Sequence, residues 1–215
     1  MTPTRLALAA TLALTALAAG PAAATVTCNV VVDGTHDQVH HVAPALVYRP
    51  ETDLVSADVA TDATTMTVVA RFASLPAPER GTGTGVLWEL PIGGTAFQVY
   101  AVSGWDGGYA DVRVLAQLVP LVDGAVELVR TTVVRDAANA ELRVSFPLSA
   151  LAPYATVPAG TAIPLPWVSA YLAVGSSQRP PADPVPNNWP LHYDDARTVT
   201  ATYVAGDPSC VTVGA

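Results

Sequence analysis

Short stretches of the chain carry hydrophobic residues at every second position, which is the pattern of half-buried β-strands. In residues 65–72, one face of such a strand carries Met66, Val68, Ala70 and Phe72, and the other face is mostly polar. The same alternation predicts ten or eleven strands in all, with the further ones at 26–32, 39–48, 54–60, 86–92, 95–102, 109–118, 126–134, 141–146, 167–174 and 198–204.

The segments between these strands are rich in turn-forming residues. Residues 75–85, with prolines and alternate glycines, are interpreted as a surface loop, because they lack the lysine and the following helix of a phosphate-binding loop. Residues 148–154 form at most a single helical turn before Pro153. Hairpin turns are predicted at 93–94, 105–108, 123–124 and 136–139. Together the pattern predicts an all-β fold, an antiparallel two-sheet β-sandwich of jelly-roll type.

The N-terminus reads as an export signal. Arg5 precedes an uncharged apolar run over residues 6–19, and the small triplet Ala22-Ala23-Ala24 follows. This run is shorter than the roughly 20 residues that span a bilayer. We therefore expect residues 1–24 to be a signal peptide and residues 25–215 to be a single secreted, extracellular β-sandwich domain, with no membrane insertion after cleavage.

Composition and charge remove several classes of function. The chain is 51% hydrophobic and 13% charged, which is typical of a folded core rather than a disordered chain. All ten basic residues are arginine, so lysine Schiff-base chemistry is excluded. A net charge of -8 opposes binding to phosphate backbones and to anionic membranes, so no nucleic-acid partner is expected.

The two cysteines, Cys28 and Cys210, lie near the ends of the expected mature chain. In an oxidising compartment such thiols form disulfides, so we predict a bridge between them. A bridge that closes a loop of this length stabilises a domain by about 4 to 5 kcal/mol on the chain-entropy model. Lipidation of Cys28 is the alternative, but Thr25-Val26-Thr27 lacks the pattern of a lipobox.

Several segments together resemble a known superfamily. They are Asp33-Gly34, residues 53–59, 66–76, 146–151 and 158–160, and Asp194-Asp195-Ala196. Over residues 30–206 they look like the DOMON and family-9 carbohydrate-binding-module superfamily of secreted bacterial β-sandwich modules. The resemblance implies a jelly roll whose relatives bind sugars or haem, or serve as accessory modules. The chain departs from the usual context of these modules, since no protease or glycosidase domain is fused to it.

Sugar binding requires aromatic faces for stacking and polar groups that orient hydroxyls. Trp88 shares a face with Val86 and Leu90 and is expected in the core. The aromatics expected to be exposed flank turns and the proline-rich stretch 175–190, where their alternative role is to anchor long loops. The ligand-binding candidates are Trp105, Tyr109, Asn187, Asn188, Trp189 and Tyr193.

Metal ligands are considered in three sets. His36, His40 and His41, with Asp33, Asp37 or His192, have the residue types of a zinc or copper site, but a strand would place His40 and His41 on opposite faces, and a solvated loop is the favoured interpretation. A structural calcium ion would use carboxylates near strand ends, namely Asp33, Asp37, Glu51, Asp53, Asp194 and Asp195. The resemblance adds haem, for which only Met66 and His192 are available, and Met66 is expected in the core. No cofactor is required by any of these patterns.

No catalytic residues are predicted, because the chain lacks a nucleophile elbow, a His-Glu-x-x-His motif and a phosphate-binding loop. The sequence therefore favours a secreted, non-catalytic module that binds an extracellular polysaccharide, a cell-surface glycan or a similar surface ligand. One alternative is a structural or protein-interaction domain of the cell envelope with no small-molecule site. A third is a metal-dependent hydrolase.

Overall fold

The computed structural model describes residues 31–34, 39–40, 50–115, 125–165, 167–174, 192–197, 202–206, 208 and 210. Over these residues the chain is almost entirely β, with one turn of 3₁₀ helix at Leu148–Ala150. The strands are β1 Val31–Val32, β2 Val39–His40, β3 Leu54–Thr61, β4 Thr65–Phe72, β5 Thr82–Ile92, β6 Thr95–Gly104, β7 Gly107–Leu115, β8 Ala125–Thr131, β9 Val133–Asp136, β10 Glu141–Pro147, β11 Ala162–Pro164, β12 Trp167–Val174, β13 His192–Arg197 and β14 Thr202–Val204.

The strands form two main sheets. Sheet A has five strands in the order β1-β3-β4-β10-β9, and sheet B has seven in the order β2-β13-β12-β5-β6-β7-β8. A separate pair joins β11 to β14. Every pairing among these strands is antiparallel. The predicted all-β fold with two antiparallel sheets is confirmed.

The described part of the chain holds fourteen strands, more than the ten or eleven predicted. Residues 126–134 were predicted as one strand, but the chain changes sheets at Thr132, so that β8 lies in sheet B and β9 in sheet A. The short strands β11 and β13 were not predicted. Residues 82–85 were assigned to a loop, whereas β5 begins at Thr82. The glycines that suggested a loop are also compatible with a strand, because a glycine leaves room for a neighbouring side chain to lie over the strand. The loop assignment of these residues is wrong.

The core lies between the two sheets. Trp88, Phe97, Met66, Phe146 and Leu142 are all essentially without solvent exposure. The indole N–H of Trp88 in sheet B donates a hydrogen bond to the main-chain carbonyl of Val69 in sheet A, at 3.3 Å. Burial of each large apolar side chain stabilises the fold by about 1.5 to 3 kcal/mol. The core positions predicted for Trp88 and Met66 are confirmed.

The turns follow local side-chain chemistry. Gly93 and Gly94 join β5 to β6 with φ angles of 59° and 82°, a conformation that favours glycine at both positions. In the turn between β9 and β10, Asp136 Oδ1 accepts hydrogen bonds from the amides of Ala138 and Asn139 at 3.0 and 3.1 Å. The Asn139 side-chain amide donates a further hydrogen bond to Asp136 Oδ2 at 2.8 Å, and this bond, followed by the backbone hydrogen bonds, lowers the pKa of Asp136. The hairpin turns predicted at 93–94 and 136–139 are confirmed, as is the single helical turn after β10.

Several hydrogen bonds attach the described residues of the C-terminal part to sheet A, among them one of 2.8 Å from the Gly206 amide to Thr61 Oγ1. The Tyr203 hydroxyl accepts a hydrogen bond from the Thr61 amide at 3.2 Å and donates one to the Thr61 carbonyl at 3.4 Å. The Arg71 guanidinium donates to the Cys210 carbonyl at 3.1 Å. Cys210 is buried, and the described residues include no free cysteine. Its predicted partner Cys28 lies outside the described residues, so the Cys28–Cys210 bridge stays a prediction.

The expected signal peptide, residues 1–24, also lies outside the described residues. In the part of the chain that the structure describes, no helix is long and apolar enough to cross a membrane.

Candidate ligand-binding face

A group of tyrosines gathers on the side of sheet B that faces away from the core. Side chains alternate between the two faces of a strand. On β6, Val99 is buried in the core, so its neighbour Tyr100 points to the opposite side. On β7, Val112 is buried in the core, and Tyr109, an odd number of positions before it, therefore also points to the opposite side. On β12, Ala170 faces the core and Tyr171 does not. We call this side of the sheet, around Tyr100, Tyr109 and Tyr171, the tyrosine face.

The strand register brings these three rings together. Tyr171 lies opposite Gly85, Gly85 opposite Val102, and Val102 opposite Tyr109. Tyr100 lies one row further along the strands. Its ring centroid is 5.9 Å from that of Tyr109 and 6.0 Å from that of Tyr171. Both distances fall in the range of favourable aromatic pairs. Tyr100 is therefore the centre of the cluster.

Gly85 explains how the Tyr171 ring can lie across the central strand. A Cβ atom at this position would lie 2.1 Å from Cζ of Tyr171, far inside van der Waals contact. Glycine thus supplies the space that the ring fills, and the ring in turn covers the exposed backbone of the glycine. The alternate glycines before Val86 are a feature of this face rather than of a loop.

Charged side chains border the tyrosines in a paired arrangement. The Arg113 guanidinium lies 5.2 Å from the Tyr100 ring centroid, in the range of a cation–π contact. Arg113 and Arg130 each donate a hydrogen bond of 3.0 Å to a different carboxylate oxygen of Asp111, which has no solvent exposure. Arg130 also donates to Glu127 at 2.9 Å. The buried carboxylate of Asp111 is therefore neutralised by its neighbours.

The hydroxyls of Tyr109 and Tyr171 stay protonated at neutral pH. Burial, and to a smaller degree the nearby Tyr100 hydroxyl, raise the pKa of Tyr109 and of Tyr171 well above the ordinary value. Both groups are therefore neutral hydrogen-bonding groups over the physiological range. The Tyr171 hydroxyl oxygen is buried and makes no hydrogen bond of normal geometry.

Trp105 lies at one end of this face, in the turn between β6 and β7. It is 46% exposed, as the sequence suggested, and the Arg80 guanidinium lies 5.7 Å from its ring centroid. Its amide donates a hydrogen bond to the Thr82 carbonyl at 3.2 Å, which holds the turn against the start of β5. The strands that meet at this turn carry Tyr100 and Tyr109. The exposed indole therefore lies at the turn that joins these two strands.

The expectation that Tyr109, at the edge of the predicted turn, is exposed is wrong. The turn consists of Trp105 and Asp106, β7 begins at Gly107, and Tyr109 is only 7% exposed. Tyr193 lies in β13, where it is paired in register with Tyr171. The other three candidates, Asn187, Asn188 and Trp189, lie outside the described residues.

Tyr100 and Tyr171 were not among the ligand-binding residues predicted from the sequence. The pattern that could have identified them is the alternation of core-facing and outward-facing residues along each strand. Each follows a core residue, so its side chain points away from the core, and each is an aromatic residue where a solvated strand face is usually polar.

The metal-site candidates are dispersed or lie outside the described residues. Asp33 accepts a hydrogen bond from the Gly34 amide at 3.0 Å, Glu51 is half-buried, and Asp53 has no solvent exposure. His40, His192, Asp194 and Asp195 lie in β2 and β13. His36, Asp37 and His41 are not among the described residues. Within the described ranges, no group of three or more His, Cys, Asp or Glu residues could hold a metal ion.

A second charged cluster lies on sheet A, and sequence analysis did not single it out. Arg71 forms ion pairs with Asp58, which has no solvent exposure, and with Glu141 at 2.7 Å. Arg143 pairs with the other Glu141 oxygen at 2.9 Å. Burial opposes the charge of Arg71, but the contacts with Asp58 and Glu141 outweigh it and raise the pKa of Arg71. Because Arg71 also donates to the Cys210 carbonyl, this cluster fastens the C-terminal segment to the sheet.

Comparison with known proteins found no match to a family model, to a curated protein or to a solved structure. The resemblance to DOMON and family-9 carbohydrate-binding modules therefore stays a hypothesis.

Proposed function

We propose that the protein is a secreted, non-catalytic module that binds a neutral extracellular carbohydrate on the tyrosine face. The observation that carries the proposal is the assembly of Tyr100, Tyr109 and Tyr171 on the side of sheet B away from the core, with Trp105 at the adjoining hairpin turn. An aromatic cluster that contributes nothing to the sandwich core calls for another role, and ligand binding is the role we assign to it.

The chemistry of the cluster suits a sugar. Aromatic rings stack on the apolar faces of pyranose rings, while a small number of polar groups fix the orientation of the hydroxyls. Tyrosine offers both an apolar ring and a hydroxyl. Arg113 and the exposed indole of Trp105 add donors at the edge of the cluster.

The charge arrangement favours a neutral sugar over an anionic one. The two arginines nearest the tyrosines, Arg113 and Arg130, are both engaged by Asp111. The chain as a whole carries a net charge of -8, which repels polyanions. Neutral polysaccharides do not experience this repulsion.

The same contacts support a binding role rather than catalysis. Each oxygen of Asp111 accepts a hydrogen bond from an arginine. A carboxylate held in this way positions its neighbours and is poorly placed to transfer a proton to a ligand.

The test is a pull-down with residues 25–215 on insoluble cellulose, chitin, xylan and β-1,3-glucan, together with the anionic polymer polygalacturonate, each with calcium and with chelator. We expect saturable capture by at least one neutral polysaccharide and none by polygalacturonate. Trp105→Ala should weaken that capture without lowering the melting temperature, because the indole is 46% exposed. Tyr100→Ala should weaken it more, since this ring is the centre of the cluster.

A matched control is available in Tyr154, which is also 46% exposed. Its carbonyl accepts a hydrogen bond from Thr95 at the start of β6, so it lies at the opposite end of that strand from Trp105. Tyr154→Ala should leave capture unchanged. If the unmutated protein binds none of the polysaccharides, the proposal fails and a protein-interaction role in the envelope becomes the better hypothesis.

A further inference from the structure

The Tyr171 hydroxyl is a buried polar group that makes no hydrogen bond of normal geometry, although the Tyr100 hydroxyl lies close to it. Nearly all buried side-chain polar atoms in folded proteins are paired, so an exception calls for a specific explanation. The rest of the Tyr171 side chain is well packed. Its ring fills the space above Gly85 and stacks with Tyr100 at 6.0 Å. The ring is thus held in position, while its hydroxyl has no well-formed hydrogen bond.

A second buried tyrosine shows what a purely structural hydroxyl looks like in this fold. Tyr203 is 2% exposed, and its hydroxyl accepts from the Thr61 amide and donates to the Thr61 carbonyl. Both hydrogen-bonding functions of that hydroxyl are used. Tyr171 differs from Tyr203 in this respect and also in its place, since it lies on the tyrosine face.

The surroundings of the Tyr171 hydroxyl define what it can bind. The described groups that act on it electrostatically are the Tyr100 and Tyr109 hydroxyls and the Arg113 guanidinium. Because burial raises its pKa, the hydroxyl remains an O–H group that can donate one hydrogen bond and accept another. An uncharged oxygen or hydroxyl matches this pair of functions.

We infer that Tyr171 is a specificity-determining residue whose hydroxyl forms a hydrogen bond with a hydroxyl group of the bound neutral sugar. This inference rests on the carbohydrate-binding function proposed above. Access of the sugar to this buried oxygen requires the half-buried Tyr100 side chain to rotate, and side-chain rotations are common when binding sites are filled.

The test is Tyr171→Phe, measured by calorimetric titration with soluble oligosaccharides of whichever neutral polysaccharide the unmutated protein captures. We expect the Kd to rise about 3- to 10-fold, the loss of one neutral hydrogen bond. The melting temperature should stay the same or increase, because the substitution removes an unpaired buried hydroxyl and keeps the ring over Gly85.

Two control variants separate this role from a structural one. Tyr203→Phe should lower the melting temperature and leave the Kd unchanged, whereas Tyr154→Phe should change neither. An unchanged Kd for Tyr171→Phe, with or without a lower melting temperature, overturns the inference while the carbohydrate-binding proposal stands. If the unmutated protein captures no sugar at all, both fail together.

Discussion

At the scale of single residues, Arg71 has the largest expected effect on stability. It neutralises Asp58, which has no solvent exposure, and also pairs with Glu141 and the Cys210 carbonyl. Truncating one partner of a buried ion pair leaves the other charge in a poorly solvated place, at a cost of about 3 to 5 kcal/mol. We expect Arg71→Ala to lower the free energy of unfolding by about 3 kcal/mol in urea titrations, because the arginine itself is partly exposed.

Arg130→Ala provides the comparison. Arg130 also pairs with a carboxylate that has no exposure, but Asp111 keeps a second arginine, Arg113, after the substitution. Arg130 is itself half-exposed, so solvent screens its interactions. We expect Arg130→Ala to lower the free energy of unfolding clearly less than Arg71→Ala does. Equal losses from the two variants would show that the pairing of Asp58 is not what makes Arg71 important.

At the scale of elements, the packing of β12 on β5 depends on Gly85. A methyl group there would collide with the Tyr171 ring, and overpacking of this kind typically costs about 1 to 3 kcal/mol. We expect Gly85→Ala to lower the free energy of unfolding at the low end of that range, because the ring can rotate away from the strand. The same rotation should weaken sugar capture.

A double-mutant cycle measures this contact directly. In the Tyr171→Ala background the obstructing ring is absent, so adding Gly85→Ala should cost little or nothing. Chemical denaturation of the two single variants and the double variant provides the coupling free energy. The same destabilisation by Gly85→Ala in both backgrounds would mean that the glycine matters for its backbone alone and not for the ring above it.

Strands were predictable from the sequence where one face of the strand is apolar. The segments 65–72 and 167–174 were predicted with the limits that β4 and β12 have in the structure. The alternation of apolar and polar residues identifies a strand but does not show which sheet it joins. The passage of the chain from sheet B to sheet A at Thr132 was therefore not predicted. For the same reason the tyrosine face was only partly foreseen: strand register brings Tyr171 beside Tyr100 and Tyr109, although Tyr171 lies far from both of them along the chain.

At the scale of the whole molecule, the absence of lysine makes tyrosine the main side chain that titrates in mildly alkaline solution. The pKa values of Tyr109 and Tyr171 are raised in the folded state, chiefly by burial. Both groups are protonated in the folded and unfolded states below about pH 10, so stability is unaffected there. Above that pH the unfolded chain loses protons that the folded chain retains, and stability must fall.

Each such tyrosine should lower the free energy of unfolding by about 1.4 kcal/mol per pH unit above its unfolded pKa. We therefore expect a melting temperature that is nearly constant from neutral pH to about pH 9 and falls steeply above pH 10. Tyr171→Phe should make this fall shallower, because it removes one of the two tyrosines whose pKa is raised in the folded state. Thermal melts across the alkaline range, with tyrosinate absorbance followed in parallel, measure both effects. An identical alkaline fall in the Tyr171→Phe variant would show that this hydroxyl titrates as freely in the folded protein as in the unfolded chain, and that burial does not shield its oxygen.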